Sequence, residues 1–96
     1  MMTTKERAQI VGKRIVAARK RKGMSQVDLA RVLAERYDRE PESMRRTLVN
    51  NETGKYSPRL HLLQAIAEAT GQPLEFFAVE EGGDGDGEAV PFREAV

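Results

Sequence analysis

The segment from Met44 to Pro58, MRRTLVNNETGKYSP, brings two arginines, two asparagines, a lysine and a tyrosine into one short span. Arginine can donate two hydrogen bonds to guanine, asparagine can pair with adenine, and an ammonium group binds phosphate as a point charge. This segment therefore offers recognition of a polyanion through hydrogen bonds. The alternative is an ordinary solvated helix face that binds nothing.

Helical geometry divides the segment into two faces, since successive residues on a helix are about 100° apart. The predicted inward face comprises Met44, Thr47, Leu48 and Asn51. The predicted outward face, which supplies the candidates for base readout, comprises Ser43, Arg45, Arg46, Val49 and Asn50. Glu42 shares the outward face, and it suits a polyanion only if it accepts from cytosine or pairs with Arg45 or Arg46.

Four further side chains are candidates for contact with phosphates, which sets position and strength rather than sequence preference. Gln26 stands at the predicted start of a helix, where free N–H groups and the positive end of the helix dipole attract anions. Lys55 and Tyr56 can reach phosphates from the loop after the helix of residues 42–52, and Arg59 can do so from early in the next helix.

Capping patterns predict where the first two helices begin. Thr3 with Glu6, and Ser25 with Asp28, have the spacing of capping boxes, in which each side chain bonds the backbone N–H of the other residue. Gly23 stands where a C′ glycine would end the first helix. A short turn therefore separates two helices.

Proline and glycine predict the later boundaries. Pro41 suits the first turn of a third helix that stops near Gly54. Ser57 and Pro58 have the pattern of an N-cap followed by proline at N1, which predicts the start of a fourth helix. Pro73 is predicted to open a last helix. The predicted helices span residues 4–22, about 26–36, 42–52, about 58–70, and a short fifth helix from residue 73. We therefore expect an all-α fold of five helices.

Composition narrows the classes of protein. The chain has 96 residues with 40% hydrophobic content and no tryptophan, which favours one small domain with an aliphatic core. It has no cysteine and only His61 as histidine, so we expect no metal site and no cofactor. Scattered carboxylates and the lack of a glycine-rich phosphate loop argue against an enzyme. No apolar run reaches the roughly 20 residues of a membrane span, so a cytoplasmic protein is expected.

Charge is distributed unevenly along the chain. Residues 1–79 hold 15 lysines and arginines against nine acidic residues, a net charge of +6, whereas residues 80–96 carry −5. The acidic, glycine-rich residues 80–96 have little to bury, and we expect a flexible tail there. The predicted organisation is a basic domain of residues 1–79 and an acidic tail of residues 80–96. A basic domain is compatible with nucleic acid as a partner.

The sequence VGKRIVAARKRKGMSQVDLARVL, residues 11–33, resembles the opening of the Cro and lambda-repressor-like (XRE) helix-turn-helix family. The matching positions are Gly12, Ile15, Arg19, Gly23, Ser25, Gln26, Leu29 and Ala30. ETGKYSP, residues 52–58, and the apolar helix that follows resemble later segments of the same family. The similarity covers about residues 10–78.

The resemblance implies a lambda-repressor-like DNA-binding domain in which Gln26 contacts phosphate and Arg19 forms an intramolecular ion pair. The chain departs from the family pattern in two places. About eight additional residues, AERYDREP, enlarge the link between helices two and three, which we expect to lengthen helix two by about a turn and add a loop. Asn51 stands at a position that is normally apolar in the family.

These observations predict a regulator of transcription, most simply a repressor, that reads the major groove of double-stranded DNA with helix three. Such domains commonly bind as two copies on half-sites about 34 Å apart. Residues 76–77 and the terminal sequence EAVPFREAV are both candidates for a homodimer contact. The alternative function is an antitoxin or adaptor whose residues 80–96 engage a protein partner, and the acidic tail could also cover the basic face.

Overall fold

The computed structural model describes residues 2–79, which form four α helices and one 3₁₀ helix. Their bounds are α1 Thr4–Lys22, α2 Gln26–Tyr37, α3 Pro41–Glu52, α4 Leu60–Thr70 and the 3₁₀ helix Leu74–Phe77. Residues 2–79 contain no strand, and no helix among them is long and apolar enough to cross a membrane. The all-helical expectation is confirmed. A five-helix count is not confirmed, because one 3₁₀ segment of four residues stands where the fifth helix was expected. The predicted tail of residues 80–96 lies outside the described residues.

Both predicted capping boxes are formed. Glu6 N donates to Thr3 Oγ1 at 3.0 Å and Thr3 N to Glu6 Oε1 at 2.8 Å; Ser25 and Asp28 make the same exchange at 3.0 and 2.9 Å. Hydrogen bonds from the backbone N–H and hydroxyl of Ser25 hold the pKa of Asp28 below its ordinary value. Gly23 ends α1 with φ of 77°, a left-handed conformation that glycine adopts without steric cost.

The start of α4 differs from the prediction. Residues 57–58 were expected to cap and open the helix, but α4 begins at Leu60, with Arg59 as an N-cap that makes no side-chain capping hydrogen bond. Asn51 Nδ2 donates to Tyr56 O at 3.1 Å, which ties this connection back to α3. A contact with another helix therefore shapes the segment in which the local Ser–Pro pattern predicted helix.

The core lies where α1, α2, α3 and α4 meet. Helix α2 packs most extensively on α3, while α1 contacts α3, α4 and the 3₁₀ helix. The largest fully buried side chains are Ile15, Leu29, Leu33, Met44, Leu48, Ile66 and Phe77. Phe77 closes the core at the C-terminal end of the described chain, and Leu74 and Phe76 pack beside it.

The link between α2 and α3 is short. Helix α2 continues to Tyr37, Asp38 caps it with φ of 54°, and Pro41 occupies the first turn of α3, so only residues 38–40 separate the two helices. Tyr37 packs against the core, and its hydroxyl donates to His61 O at 3.1 Å. Residues 34–37 thus belong to α2, and residues 38–40 form the connection to α3.

Helix α1 fixes the C-terminal end of α3 by close backbone approach. Gly12 is buried in α1, and a Cβ atom at this position would lie 2.6 Å from Asn51 O and would also collide with Glu52 O. A real Cβ cannot occupy that space, so glycine permits the two helices to touch at this point.

Candidate nucleic-acid interface

The inward face of α3 agrees with the sequence prediction. Met44 and Leu48 are buried in the core, and Asn51 is buried with them. Thr47 is half-buried, and its hydroxyl donates to Ser43 O at 3.3 Å. These contacts hold α3 with its opposite face turned away from the core.

Arg46 and Asn50 are the outward residues without side-chain partners. Arg46 is exposed, and within residues 2–79 its guanidinium makes no hydrogen bond or ion pair. The side chain of Asn50 is half-buried and equally unengaged in that part of the chain, while its carbonyl accepts from Lys55 N at 3.0 Å. Their polar groups therefore remain available to a ligand.

Val49 is half-buried, whereas the sequence predicted an exposed valine. The helical angle correctly gave its direction but carried no information about how far neighbouring elements cover it. Part of its surface remains accessible beside Arg46.

Arg45 is already paired. Its Nη2 lies 2.8 Å from Glu42 Oε2 and its Nε lies 3.3 Å from Glu42 Oε1. The result is a bidentate ion pair between residues three positions apart on α3. This hydrogen-bonded ion pair lowers the pKa of Glu42 and raises the pKa of Arg45. Of the roles considered for Glu42, pairing with Arg45 is the one that the fold adopts. The pair engages the Nε hydrogen and one Nη2 hydrogen, so three of the five N–H donors of Arg45 remain for a base or a phosphate.

Ser43 is half-buried, and its hydroxyl is also engaged. Arg39, in the link before α3, donates from Nη2 to Ser43 Oγ at 2.9 Å. The hydroxyl can still donate its own hydrogen, because a serine oxygen both accepts and donates. Ser43 thus connects the enlarged link to the first turns of α3.

Gln26 lies at the N-terminus of α2, as predicted, and belongs to a partly buried network. Its Nε2 donates to Glu52 Oε1 at 2.8 Å. Arg19 holds the same carboxylate through Nε and Nη2, at 2.8 and 3.2 Å, and also donates to Met24 O at 3.1 Å. The ion pair implied for Arg19 by the family resemblance is confirmed. Because an amide nitrogen carries two hydrogens, Gln26 retains one donor for a phosphate.

The loop after α3 presents the other predicted phosphate contacts. Lys55 and Tyr56 are exposed, and Lys55 Nζ lies 5.6 Å from the centre of the Tyr56 ring. Arg59 is exposed at the N-cap of α4 rather than inside the helix. The backbone N–H groups of Lys55 and Tyr56 both donate to Asn50 O, so α3 itself holds the loop.

Two clefts flank this loop, and no acidic residue among residues 2–79 lines either of them. One has a volume of about 520 Å³, and its polar lining residues are Arg39, Thr47, Asn50, Asn51, Tyr56, Ser57, Arg59 and His61. The other, of about 780 Å³, is lined among others by Lys5, Gln9, Thr53, Lys55 and Tyr56. Tyr56 and Ser57 line both clefts and form the ridge between them. Four positive side chains from three segments converge around this ridge: α1, the α2–α3 link and the α3–α4 connection.

Sequence reasoning did not identify Arg39 or Lys5 as candidate site residues. Their only sequence signal is positive charge, which they share with 14 other lysines and arginines. Both reach the loop through the packing of distant segments, which no local spacing encodes. No protein-family model, curated protein or solved structure was found to match this chain.

Proposed function

We propose that the protein is a sequence-specific double-stranded DNA-binding regulator of transcription that inserts α3 into the major groove. The observation that carries the proposal is the unpartnered guanidinium of Arg46 beside the unengaged amide of Asn50 on the outer face of α3. Guanidinium and carboxamide groups are those that read guanine and adenine in the major groove. The net charge of +6 over residues 1–79 supports a polyanionic partner.

The outward residues take different parts in this proposal. Arg46 donates to guanine, Asn50 pairs with adenine, and the accessible part of Val49 contacts a thymine methyl group. Arg45 joins them through the three N–H donors that its pair with Glu42 leaves free. Phosphate contacts come from the free amide hydrogen of Gln26, from Lys55 and Tyr56 in the loop, and from Arg59.

Repression is the simplest regulatory outcome of such binding. A domain that occupies a promoter excludes other proteins from it, and this requires no catalytic group. The resemblance to the lambda-repressor-like family supports the same mode of action. Two copies bound to half-sites about 34 Å apart would place two α3 helices in successive major grooves on one side of the duplex.

Selection of bound sequences from a random duplex library, using the full chain, tests the proposal directly. We expect a defined motif, and we expect its symmetry and spacing to report whether two copies bind. Failure to enrich any sequence would contradict sequence-specific binding.

The substitution Arg46→Ala tests which face reads the motif. We expect a loss of about 1–3 kcal/mol of discrimination at one base position, with the fold unchanged because Arg46 is exposed. Arg36→Ala is the matched control, since Arg36 is an exposed arginine that pairs with Glu68 on α4 at 2.5 Å. Equal sequence preference in wild type and Arg46→Ala would show that another surface reads the bases.

A further inference from the structure

The ridge formed by Tyr56 and Ser57 separates the two clefts described above, and each cleft carries a pair of cations. Arg39 and Arg59 line the cleft of about 520 Å³, and Lys5 and Lys55 line that of about 780 Å³. Neither cleft is lined by an aspartate or glutamate from the described residues. Paired cations without competing carboxylates favour an anionic ligand.

We propose that one strand of the DNA backbone crosses this ridge, with a phosphodiester group seated in the cleft on each side. The inference rests on the proposed function and adds two contacts to it: Arg39 from the enlarged link and Lys5 from the first turn of α1. A single strand places negative charges at regular intervals along its backbone, which suits two cationic clefts on either side of one ridge.

Arg39 is positioned for this role by Ser43. The hydrogen bond from Nη2 to Ser43 Oγ engages one of the five N–H donors of the guanidinium and leaves the others for phosphate oxygens. Ser43 is therefore a positioning residue that acts through Arg39, rather than a reader of bases. This assignment replaces the base-readout role that its place on the outward face suggested.

Asn51 forms part of the floor of the Arg39 cleft. It lines the cleft, its Nδ2 is engaged with Tyr56 O, and its buried Oδ1 accepts no hydrogen bond from residues 2–79. A phosphodiester oxygen only accepts hydrogen bonds, so the two arginines of the cleft, and not this oxygen, hold the phosphate.

Lys5 has a comparable setting on the other side. It lies in the first turn of α1, where the positive end of the helix dipole adds to its own charge. Lys55 enters the same cleft from the loop after α3, so residues about 50 positions apart converge on one seat.

The test measures binding of the full chain to its selected duplex and to a scrambled duplex of equal length, at several salt concentrations between about 50 and 200 mM. Arg39→Ala and Lys5→Ala are compared with wild type and with the control Arg36→Ala. Each phosphate contact contributes about 0.9 to the slope of log affinity against log salt. We expect Arg39→Ala and Lys5→Ala each to flatten the slope by about that amount and to weaken binding about fivefold to tenfold on both duplexes.

Ser43→Ala separates positioning from base readout. If Ser43 only positions Arg39, the Ser43→Ala substitution should weaken binding to both duplexes equally. Combined with Arg39→Ala, it should cause no further loss of affinity. A loss confined to the selected duplex would overturn its assignment.

An unchanged slope for either Arg39→Ala or Lys5→Ala, with wild-type binding intact, would overturn the two-sided seating and leave the proposed function standing. Wild-type protein that binds no duplex would overturn both. Binding of inorganic phosphate alone at the same clefts, without an effect of Arg39→Ala on DNA affinity, would assign the seats to a free anion and contradict the backbone proposal.

Discussion

Arg45 and Arg46 are neighbours in the sequence but differ in what holds them. Arg45 forms a two-pronged ion pair with Glu42, whereas Arg46 has no such partner in residues 2–79. Helical geometry predicts that both arginines lie on the outer face, and that Glu42, within one turn of each, can pair with either. It could not decide which arginine Glu42 would take, because that depends on side-chain geometry.

Glu42→Gln should strengthen binding to any duplex by about threefold to tenfold, because it removes a negative charge beside the phosphates and releases Arg45. Arg45 lowers the pKa of Glu42, so the wild-type carboxylate is charged at neutral pH. Its negative charge is lost only as pH falls through that lowered pKa. The gain should therefore be constant between about pH 6 and 8.

The measurement is the dissociation constant of each variant on selected and scrambled duplexes. Glu68→Gln is the control, since it also removes one charge from an exposed ion pair, on α4. Weaker binding by Glu42→Gln would show instead that this carboxylate accepts a hydrogen bond from a base.

At the scale of elements, the helix ends that rest on local chemistry were predictable. The capping boxes at Thr3 and Ser25 fixed the starts of α1 and α2 because each donor and acceptor lies within three residues. The start of α4 was not predictable, since Asn51 binds Tyr56 O from another helix. The two clefts could not be predicted from local sequence patterns for the same reason, because they are formed by contacts between distant segments.

Gly12→Ala should destabilise the fold by about 1–3 kcal/mol, because the added methyl group would collide with backbone carbonyls of α3 and neither helix can yield without repacking. Lys13→Ala, at the neighbouring exposed position, is the control. Chemical denaturation monitored by circular dichroism gives the free energy of unfolding. Wild-type stability in Gly12→Ala would show that α1 and α3 do not approach this closely.

Glu52→Gln should lower stability by about 3 kcal/mol, since it leaves the buried guanidinium of Arg19 without a counter-charge. It also leaves one acceptor oxygen in place of the two that bind Arg19 and Gln26, so Gln26 is held less firmly and phosphate affinity should fall even where the protein is fully folded. Thermal unfolding reports the loss of stability. DNA titration at a temperature well below the unfolding midpoint reports the loss of affinity separately. A fully stable Glu52→Gln variant would contradict the structural role of the network.

At the scale of the whole molecule, charge asymmetry is the dominant feature. Residues 1–79 carry +6 and residues 80–96 carry −5, so the net charge of +1 conceals a basic body. Composition alone established this contrast. The same composition could not show which surface collects the positive charge, because that depends on how the helices pack.

Removal of residues 80–96 should strengthen binding to scrambled DNA by about tenfold at low salt, since the net charge of the molecule then rises from +1 to +6. The matched control keeps the tail length and replaces its six acidic residues with glutamine and asparagine. Both variants should behave alike if charge is the cause. Unchanged binding in both would contradict any shielding of the basic body by the tail.

The central claim, that the outer face of α3 binds duplex DNA by sequence, is tested most directly by titrating the full chain with its selected duplex over a range of salt concentrations. We predict that log affinity falls linearly and steeply with log salt, and that the selected duplex binds more tightly than the scrambled one at every concentration. An affinity that is independent of salt, or equal for the two duplexes, would contradict the claim.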